Sequence, residues 1–256
     1  MTETPAFRLV GMVHLPPLPG IPNYRGTPLS EIIDQAVADA VTLTDAGFTH
    51  LMIQNACDVP AQTTVAPSTI AIMTRVATEV SAASPLPLGV NVAHNDGPGA
   101  LAVAYAVGAP FIRVKLLTGA AVGPDGIMAG CGLATAELRA RLGADVRIWA
   151  DVNEATSLPL ARGADDVWAA VEAVKFGAAD VLVVTKDSGV ADALDAIARI
   201  REALPDTPLV VGGRVGPVSI AATRAGADGA IIGGALKKDG GHFTRVDATL
   251  ARGFAA

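Results

Sequence analysis

Two segments end an apolar run in paired glycines, Val210-Val211-Gly212-Gly213-Arg214-Val215 and Ile231-Ile232-Gly233-Gly234-Ala235-Leu236. Glycine at the end of a buried strand lets backbone N–H groups approach an anion, and a short helix that follows adds its dipole. Gly212, Gly213, Gly233 and Gly234 are therefore candidate phosphate ligands, with tight turns as the alternative use. Asp151 closes the run Val146 to Ala150. A carboxylate half-buried at a strand end is a candidate general acid or base, because burial moves its pKa toward neutrality; capping a loop or pairing with a cation is the alternative. Asp58 and Asp96 follow asparagines in Asn55-Ala56-Cys57-Asp58 and Asn95-Asp96, a pattern that equally suits turns. Several acids above one mouth are also candidate Mg2+ ligands. His14 and His94 are candidates for proton transfer, and His50 is a structural histidine. Lys115 and Lys186 raise a different chemistry, since a desolvated lysine attacks a carbonyl as a Schiff-base nucleophile. Pairing of Lys115 with Asp151 or another acid, and a phosphate-contacting or surface place for Lys186, are the plainer alternatives.

These residues need elements to hold them together. A weak rhythm runs along the chain, in which a helical stretch ends at glycine and a short apolar run follows: Gly47 before His50 to Ile53, Gly108 before Phe111 to Leu117, Gly143 before Val146 to Val152, Gly177 before Asp180 to Thr185, and Gly226 before Gly229 to Ile232. Glycine just past a helix end takes the left-handed conformation without steric cost, and a continuous apolar run reads as a buried strand. Leu9 to Val13, Leu86 to Val92 and Pro208 to Val211 bring the count to about eight strands alternating with helices, the pattern of a closed (β/α)8 barrel. The helices are amphipathic. In Ser30 to Thr44 the apolar Ile32, Ile33, Ala36, Val37, Ala40 and Val41 recur at 3–4 spacing, while Glu31, Asp34, Gln35 and Asp39 fall elsewhere. A doubly wound open sheet normally begins with a Gly-rich phosphate turn, and Val13-His14-Leu15-Pro16-Pro17 is not one.

In such a barrel, functional groups sit at the carboxyl ends of the strands. The expected ring is His14; Gln54, Asn55 and Asp58; Asn91, His94, Asn95 and Asp96; Arg113, Lys115 and Thr118; Asp151, Asn153 and Glu154; Lys186, Asp187 and Ser188; Arg214; and Lys237. Lys115 is expected inside the fourth strand on the face of Arg113. Asp151, Asn91, Asp96, His14 and Lys115 are the catalytic candidates. Asn55, Asp58, Arg113, Thr118, Lys186, Ser188 and Arg214 are candidates for contacting substrate. The proline-rich loop after His14 is a candidate lid.

Composition excludes several other classes. The chain has 256 residues, 51% hydrophobic and 17% charged, with a mean hydropathy of +0.44. The longest nearly unbroken apolar stretch, Gly99 to Ile112, is interrupted by Gly108 and Pro110 and falls short of the roughly 20 residues of a membrane-spanning helix. Glu3 and Pro5 stand where an export signal needs a basic end and an apolar core. A net charge of −6 and a pI near 5.1 argue against a nucleic-acid surface. Two cysteines without CxxC spacing, Cys57 and Cys131, read as reduced thiols. A cytoplasmic single domain over residues 1–256, with a dimer or other homo-oligomer plausible from its apolar composition, is the economical expectation.

Gly11-Met12-Val13-His14-Leu15-Pro16-Pro17-Leu18-Pro19-Gly20, Gly89-Val90-Asn91-Val92 with Asn95-Asp96, Phe111-Ile112-Arg113-Val114 with Leu117-Thr118-Gly119-Ala120, Ala150-Asp151-Val152 and Ala235-Leu236-Lys237-Lys238-Asp239-Gly240 resemble the BtpA/SgcQ family along essentially the whole chain. The resemblance implies a TIM barrel of the ribulose-phosphate-binding kind. It also implies a phosphate site, with Asn91, Asp96 and Asp151 in the functional mouth. The family takes its name from a factor for photosystem I accumulation in cyanobacteria, and other members lie among sugar-uptake and sugar-metabolism genes. This chain departs from the family pattern at Lys115 (commonly Asn), Gln54 (commonly Glu), the lack of a His soon after Asp151, and Thr185-Lys186-Asp187-Ser188-Gly189 in place of a Gly-rich segment. These departures imply a different substrate. The lead expectation is an enzyme acting on a sugar phosphate or ribosyl-phosphate compound, and the alternatives are a Schiff-base lyase and a non-catalytic assembly factor.

Overall fold

Apolar runs flanked by polar ends become strands buried on both faces. In the computed structural model, which describes residues 6–124, 126–153, 155–161, 165–242 and 244–254, eight parallel strands close into a barrel. They are β1 (Arg8–His14), β2 (His50–Gln54), β3 (Leu88–Asn91), β4 (Phe111–Val114), β5 (Arg147–Val152), β6 (Val181–Val184), β7 (Leu209–Gly212) and β8 (Gly229–Ile232). Each pairs with its neighbours in chain order, and β1 closes on β8 with Val10 opposite Ile231. Around them run α1 (Leu29–Asp45), α2 (Pro67–Ala83), α3 (Gly97–Val107), α4 (Gly132–Leu142), α5 (Asp166–Lys175), α6 (Val190–Ala203), α7 (Ile220–Gly226) and α8 (Ala248–Arg252).

The two-residue alternation of a strand separates two cores. Val10, Met12, Met52, Phe111, Trp149, Val183 and Ile231 fill the barrel interior, while Leu9, Val13, Leu51, Ile53, Ile112 and Ile148 face the helices. Phe111 stacks on Trp149 with ring centroids 4.3 Å apart. This pair fits because β3 carries glycine opposite: a Cβ on Gly89 would stand 2.2 Å from the Phe111 ring.

The structure corrects several expectations. Gly47, Gly108 and Gly143 take positive φ as anticipated, but after α5 the left-handed residue is Ala178, at φ 58°. Gly177 is required there because a Cβ would strike Ala173 O and Leu117. Gly226 lies within α7. Asp39 is on the buried side of α1, where Oδ1 accepts from Arg245 Nε and Val246 N, so it fastens the C-terminal segment to the barrel. β4 stops at Val114, leaving Lys115 just past the strand. A small antiparallel sheet of Gly126–Ala129, Ala120–Gly123 and Leu158–Pro159 stands on the mouth side. Its strands are four residues or fewer, too short and glycine-rich to show as alternation. The Pro-rich loop is packed down, with Leu15 and Leu18 fully buried and Leu18 N donating to Asp58 Oδ1.

Gly89→Ala should cost about 2–3 kcal/mol in urea unfolding, because Phe111 is wedged on Trp149 and cannot withdraw. Gly89→Ala with Phe111→Leu should cost less than the sum of the two single changes, and strict additivity would refute this account of the interior.

Candidate functional site

The inward-facing positions turn polar at the carboxyl ends of the strands. His14 continues the face of Val10 and Met12, Gln54 that of Met52, Asn91 that of Gly89, Arg113 that of Phe111 and Asp151 that of Trp149. At their centre Arg113 grips Asp151 with two bonds, Nε to Oδ1 and Nη2 to Oδ2, each 2.8 Å. Only 1% of the Asp151 side chain is exposed. Of the two roles expected for Asp151, the structure shows the ion pair. Asn91 Nδ2 donates to the Arg113 carbonyl at 2.8 Å, which fixes the strand that carries the guanidinium. A Cβ on Gly212 would lie 2.5 Å from Thr185 Oγ1 and 3.5 Å from Arg113 Nη2, so this glycine is set by close packing.

A cavity of about 900 Å³ opens above this layer, lined by His14, Arg113, Lys115, Asp151, Gly213, Arg214, Gly233, Gly234, Lys237, Lys238 and His242 among others. Gly213 and Arg214 both adopt positive φ, which turns the chain after β7 around the cavity. After β8 a single 3-10 turn, Gly234–Leu236, begins at Gly233. Arg214 Nη2 reaches Asp187 Oδ1 at 3.3 Å.

The second polar cluster joins β1 to the loop that follows this turn. His14 and His242 meet edge to face with Nδ1 atoms 3.2 Å apart. Lys237, almost fully buried, donates from Nζ to the carbonyls of His242 and Thr244 at 3.0 and 2.5 Å, so its side chain pins the loop that brings His242 over His14. Burial pushes the His14 pKa down to about 2, aided by His242, Lys237 and Arg113. Burial and Lys237 lower His242 as well, and burial lowers the Lys237 amine. Both imidazoles are therefore neutral near pH 7, and one donates its Nδ1 proton to the other. Sequence inspection placed Lys237 in the ring but missed His242, which is 228 residues from His14 and carries no local motif.

Asp96, Asp58 and Asn55 bond to backbone, and Asp58 and Asn55 to each other. Asp96 caps α3, accepting from Gly99 N and Val65 N. Asp58 accepts from Leu18 N and Asn55 Nδ2, and Asn55 Oδ1 accepts from Ala93 N. Neither these two acids nor Asn55 lines the mouth cavity. Asp58, Asp96 and Asp151 do not converge, and among the described residues no group of three or more His, Cys, Asp or Glu side chains is placed to hold a metal ion such as Mg2+. Lys186 is paired with Asp166 at 2.6 Å, and Ser188 is exposed on the adjacent turn. Lys115 lines the mouth and donates to Thr156 Oγ1 at 3.2 Å. Thr118 lies in a smaller lateral cavity that shares Lys115 and Asp151 with the mouth. His50 faces the opposite, lower end of the barrel beside Phe111, where burial and Arg8 push its pKa down to about 4. Glu154 lies outside the described residues. Cys57 and Cys131 are free thiols, and among the described residues no helix is long and apolar enough to cross a membrane.

Fold and site together define a (β/α)8 barrel with a ligand-sized cavity at the carboxyl ends of its strands. The sequence profile of the BtpA family matches residues 6–256, and the chain belongs to that family. It is 37% identical to an uncharacterized protein of Pyrococcus horikoshii over 93% of this chain and 90% of that one. It is 30% identical to the photosystem I biogenesis protein BtpA of Synechocystis, over 93% and 83%, and 28% identical to the putative sgc region protein SgcQ of Escherichia coli, over 93% and 89%. Among solved structures, tryptophan synthase from M. tuberculosis superposes with a TM-score of 0.58 at 15% identity, covering 98% of this chain and 92% of that one. N-(5'-phosphoribosyl)anthranilate isomerase from Pyrococcus furiosus gives 0.54 at 11%, covering 96% of each. At these identities the likeness is one of fold.

The histidine pair has a pH signature. With a folded pKa near 2 against 6.5 unfolded, the unfolded chain binds more protons between these values, so stability is complete above pH 6.5 and falls as the pH drops. Wild type should lose about 1 kcal/mol or more between pH 7 and 5.5 in urea unfolding, with His50 and His242 adding in the same direction. His14→Gln should flatten that loss; an unchanged slope would contradict the burial of His14 as a neutral group.

Proposed function

We propose that this protein is a barrel enzyme acting on a phosphorylated small molecule, a sugar phosphate or ribosyl phosphate, whose phosphate lies under the glycine turns after β7 and β8. The observation that carries this is the charge of the mouth. The chain has a net charge of −6, yet the described residues lining the cavity include five cations, Arg113, Lys115, Arg214, Lys237 and Lys238, against three carboxylates, Asp151, Asp187 and Asp239. Asp151 is already matched by Arg113. Such a local excess in an acidic protein favours an anionic ligand and raises its local concentration. Gly213, Gly233 and Gly234 on the same wall leave room for backbone N–H groups to face it.

In this reading His14 and His242 handle the proton. Two neutral imidazoles in contact accept a proton at one ring and release one at the other without building net charge in a dry site. Arg113 stabilises negative charge that develops on the substrate, and Lys115 steadies its far end. Lys237 positions His242. The reaction class is acid–base chemistry on the carbon skeleton or glycosidic bond of the phosphate ester. The free thiols support a reducing compartment, the cytoplasm, and the acidic surface supports a small-molecule ligand over nucleic acid.

Thermal unfolding with ribose 5-phosphate, glucose 6-phosphate, inorganic phosphate or free ribose tests this. A ligand at a hundredfold excess over its Kd adds about 2.7 kcal/mol, a shift of several degrees for a chain of this size. The phosphate esters should raise the midpoint and free ribose should not, and Arg214→Gln should diminish the shift. Equal shifts with ribose, or none with any phosphate, would overturn the proposal. Borohydride trapping of an adduct on Lys115 or Lys186 would instead favour a Schiff-base lyase.

A further inference from the structure

Most polar side chains that ring the mouth are spent on the protein itself. His14 meets His242, Arg113 holds Asp151, Lys115 donates to Thr156, and Lys237 bonds two carbonyls of its own loop. Asn91 Nδ2 is taken by the Arg113 carbonyl. Gln54 is different. It ends β2 half-buried and lines the mouth cavity. Its carboxamide, with two N–H donors and an acceptor oxygen, bonds none of the described residues. Thr185 Oγ1 also lacks a partner among the described residues, but it is shut off from solvent.

Strand register places this carboxamide. Gln54 is opposite His14 on β1 and Asn91 on β3, and directly opposed residues share a face. His14 is held neutral by its burial, so the inward ends of β1, β2 and β3 carry no charge. The cations of the mouth stand elsewhere, with Arg113 and Lys115 on and after β4, Arg214 after β7, and Lys237 and Lys238 after β8. On its other side His14 borders the glycine turn that follows β8. A Cβ on Gly233 would stand 3.1 Å from His14 Cε1 and 3.6 Å from Nε2. The order along this wall is therefore Gly233, His14, Gln54, on three adjacent strands. A ligand whose phosphate rests at the Gly233 turn and whose chain reaches Gln54 crosses the His14 ring.

We propose that Gln54 reads a hydroxyl of the ligand on the far side of His14 from the phosphate, so that the site takes phosphate esters of hydroxylated carbon chains and discriminates against esters that lack this hydroxyl. A hydroxyl is both donor and acceptor, and the carboxamide supplies the complementary acceptor and donor. A neutral group in an uncharged stretch of wall suits a neutral oxygen, whereas a second anionic group is drawn to the cations beyond it. Discrimination arises because a ligand without the hydroxyl takes water from the carboxamide and returns no partner. The inference rests on the phosphate reading of the mouth and adds to it which end of the chain is recognised, and by which residue.

Isothermal titration of the full chain with ribose 5-phosphate, glucose 6-phosphate and methyl phosphate tests this, the last being a phosphate ester without a hydroxyl. Wild type should bind one of the two sugar phosphates about tenfold more tightly than methyl phosphate, or better. Gln54→Leu, close to glutamine in volume, should weaken that sugar phosphate about tenfold and change methyl phosphate by less than about twofold. Gln54→Met should repeat both results. Without ligand, both variants should unfold cooperatively with midpoints close to that of wild type, because the carboxamide bonds no described residue. Wild type that binds none of the three compounds would overturn the phosphate reading and this inference with it. Equal wild-type affinity for sugar phosphate and methyl phosphate would overturn the inference alone, as would Gln54 variants that weaken both ligands equally or neither. A large fall in the midpoint of both variants would make Gln54 a structural residue and overturn it too.

Discussion

The mouth is organised by one buried charge pair. Arg113 and Asp151 sit on adjacent strands and hold each other through two bonds of 2.8 Å. Removing water from two charges is expensive, and a buried pair gains its keep only when its geometry is good; taking away one partner typically costs 3–5 kcal/mol, roughly, because the other is left uncompensated. The surroundings follow from this requirement. Asn91 on β3 donates to the Arg113 carbonyl, and β7 presents glycine at position 212, where a Cβ would crowd Thr185 Oγ1 and approach the guanidinium. Below lies an apolar interior anchored by the Phe111–Trp149 stack. The pair therefore marks the level at which the barrel changes from packed core to chemical surface.

The opposite wall solves a different problem, that of holding a loop over the cavity without a strand or helix to carry it. Lys237 does this from within, as its ammonium bonds two carbonyls of the loop beyond it. Burying an ammonium is unfavourable, and the lowering of its pKa reflects that burial; the two carbonyls partly offset the cost. The result sets His242 against His14. Desolvation and nearby cations keep both rings from charging, so the mouth holds permanent positive charge on Arg and Lys and proton-transfer capacity on neutral imidazoles.

The barrel was legible because parallel strands buried on both faces leave continuous apolar runs, and all eight observed strands fall on runs recognisable in the sequence. Helix-end glycines were a good guide where φ is positive, at Gly47, Gly108 and Gly143, and a poor one at Gly177, where packing against Leu117 and Ala173 O is the constraint. Residues at strand ends were also legible, as His14, Arg113, Asp151 and Gly233 reach the mouth. Asp58 and Asp96 were harder to place, because an aspartate after a strand has the same local signature whether it faces a ligand or caps backbone N–H groups. His242 had no signature at all, since its role comes from a contact with the first strand. The rim sheet escaped notice because its strands are shorter than one clear period of alternation.

The rim sheet and the mouth are not separate features. Ala155 and Thr156 line the cavity, Thr156 accepts from Lys115 Nζ, and Leu158 enters the rim sheet two residues later. A wall of the mouth is thus carried by a sheet whose outer face is apolar. In isolation a sheet of such short strands is marginal, and a wall built on it would be held loosely. Through Thr156 the position of the Lys115 ammonium is tied to that sheet. Order in the rim sheet and order at the mouth are in this way tied to each other through the same inserted segment.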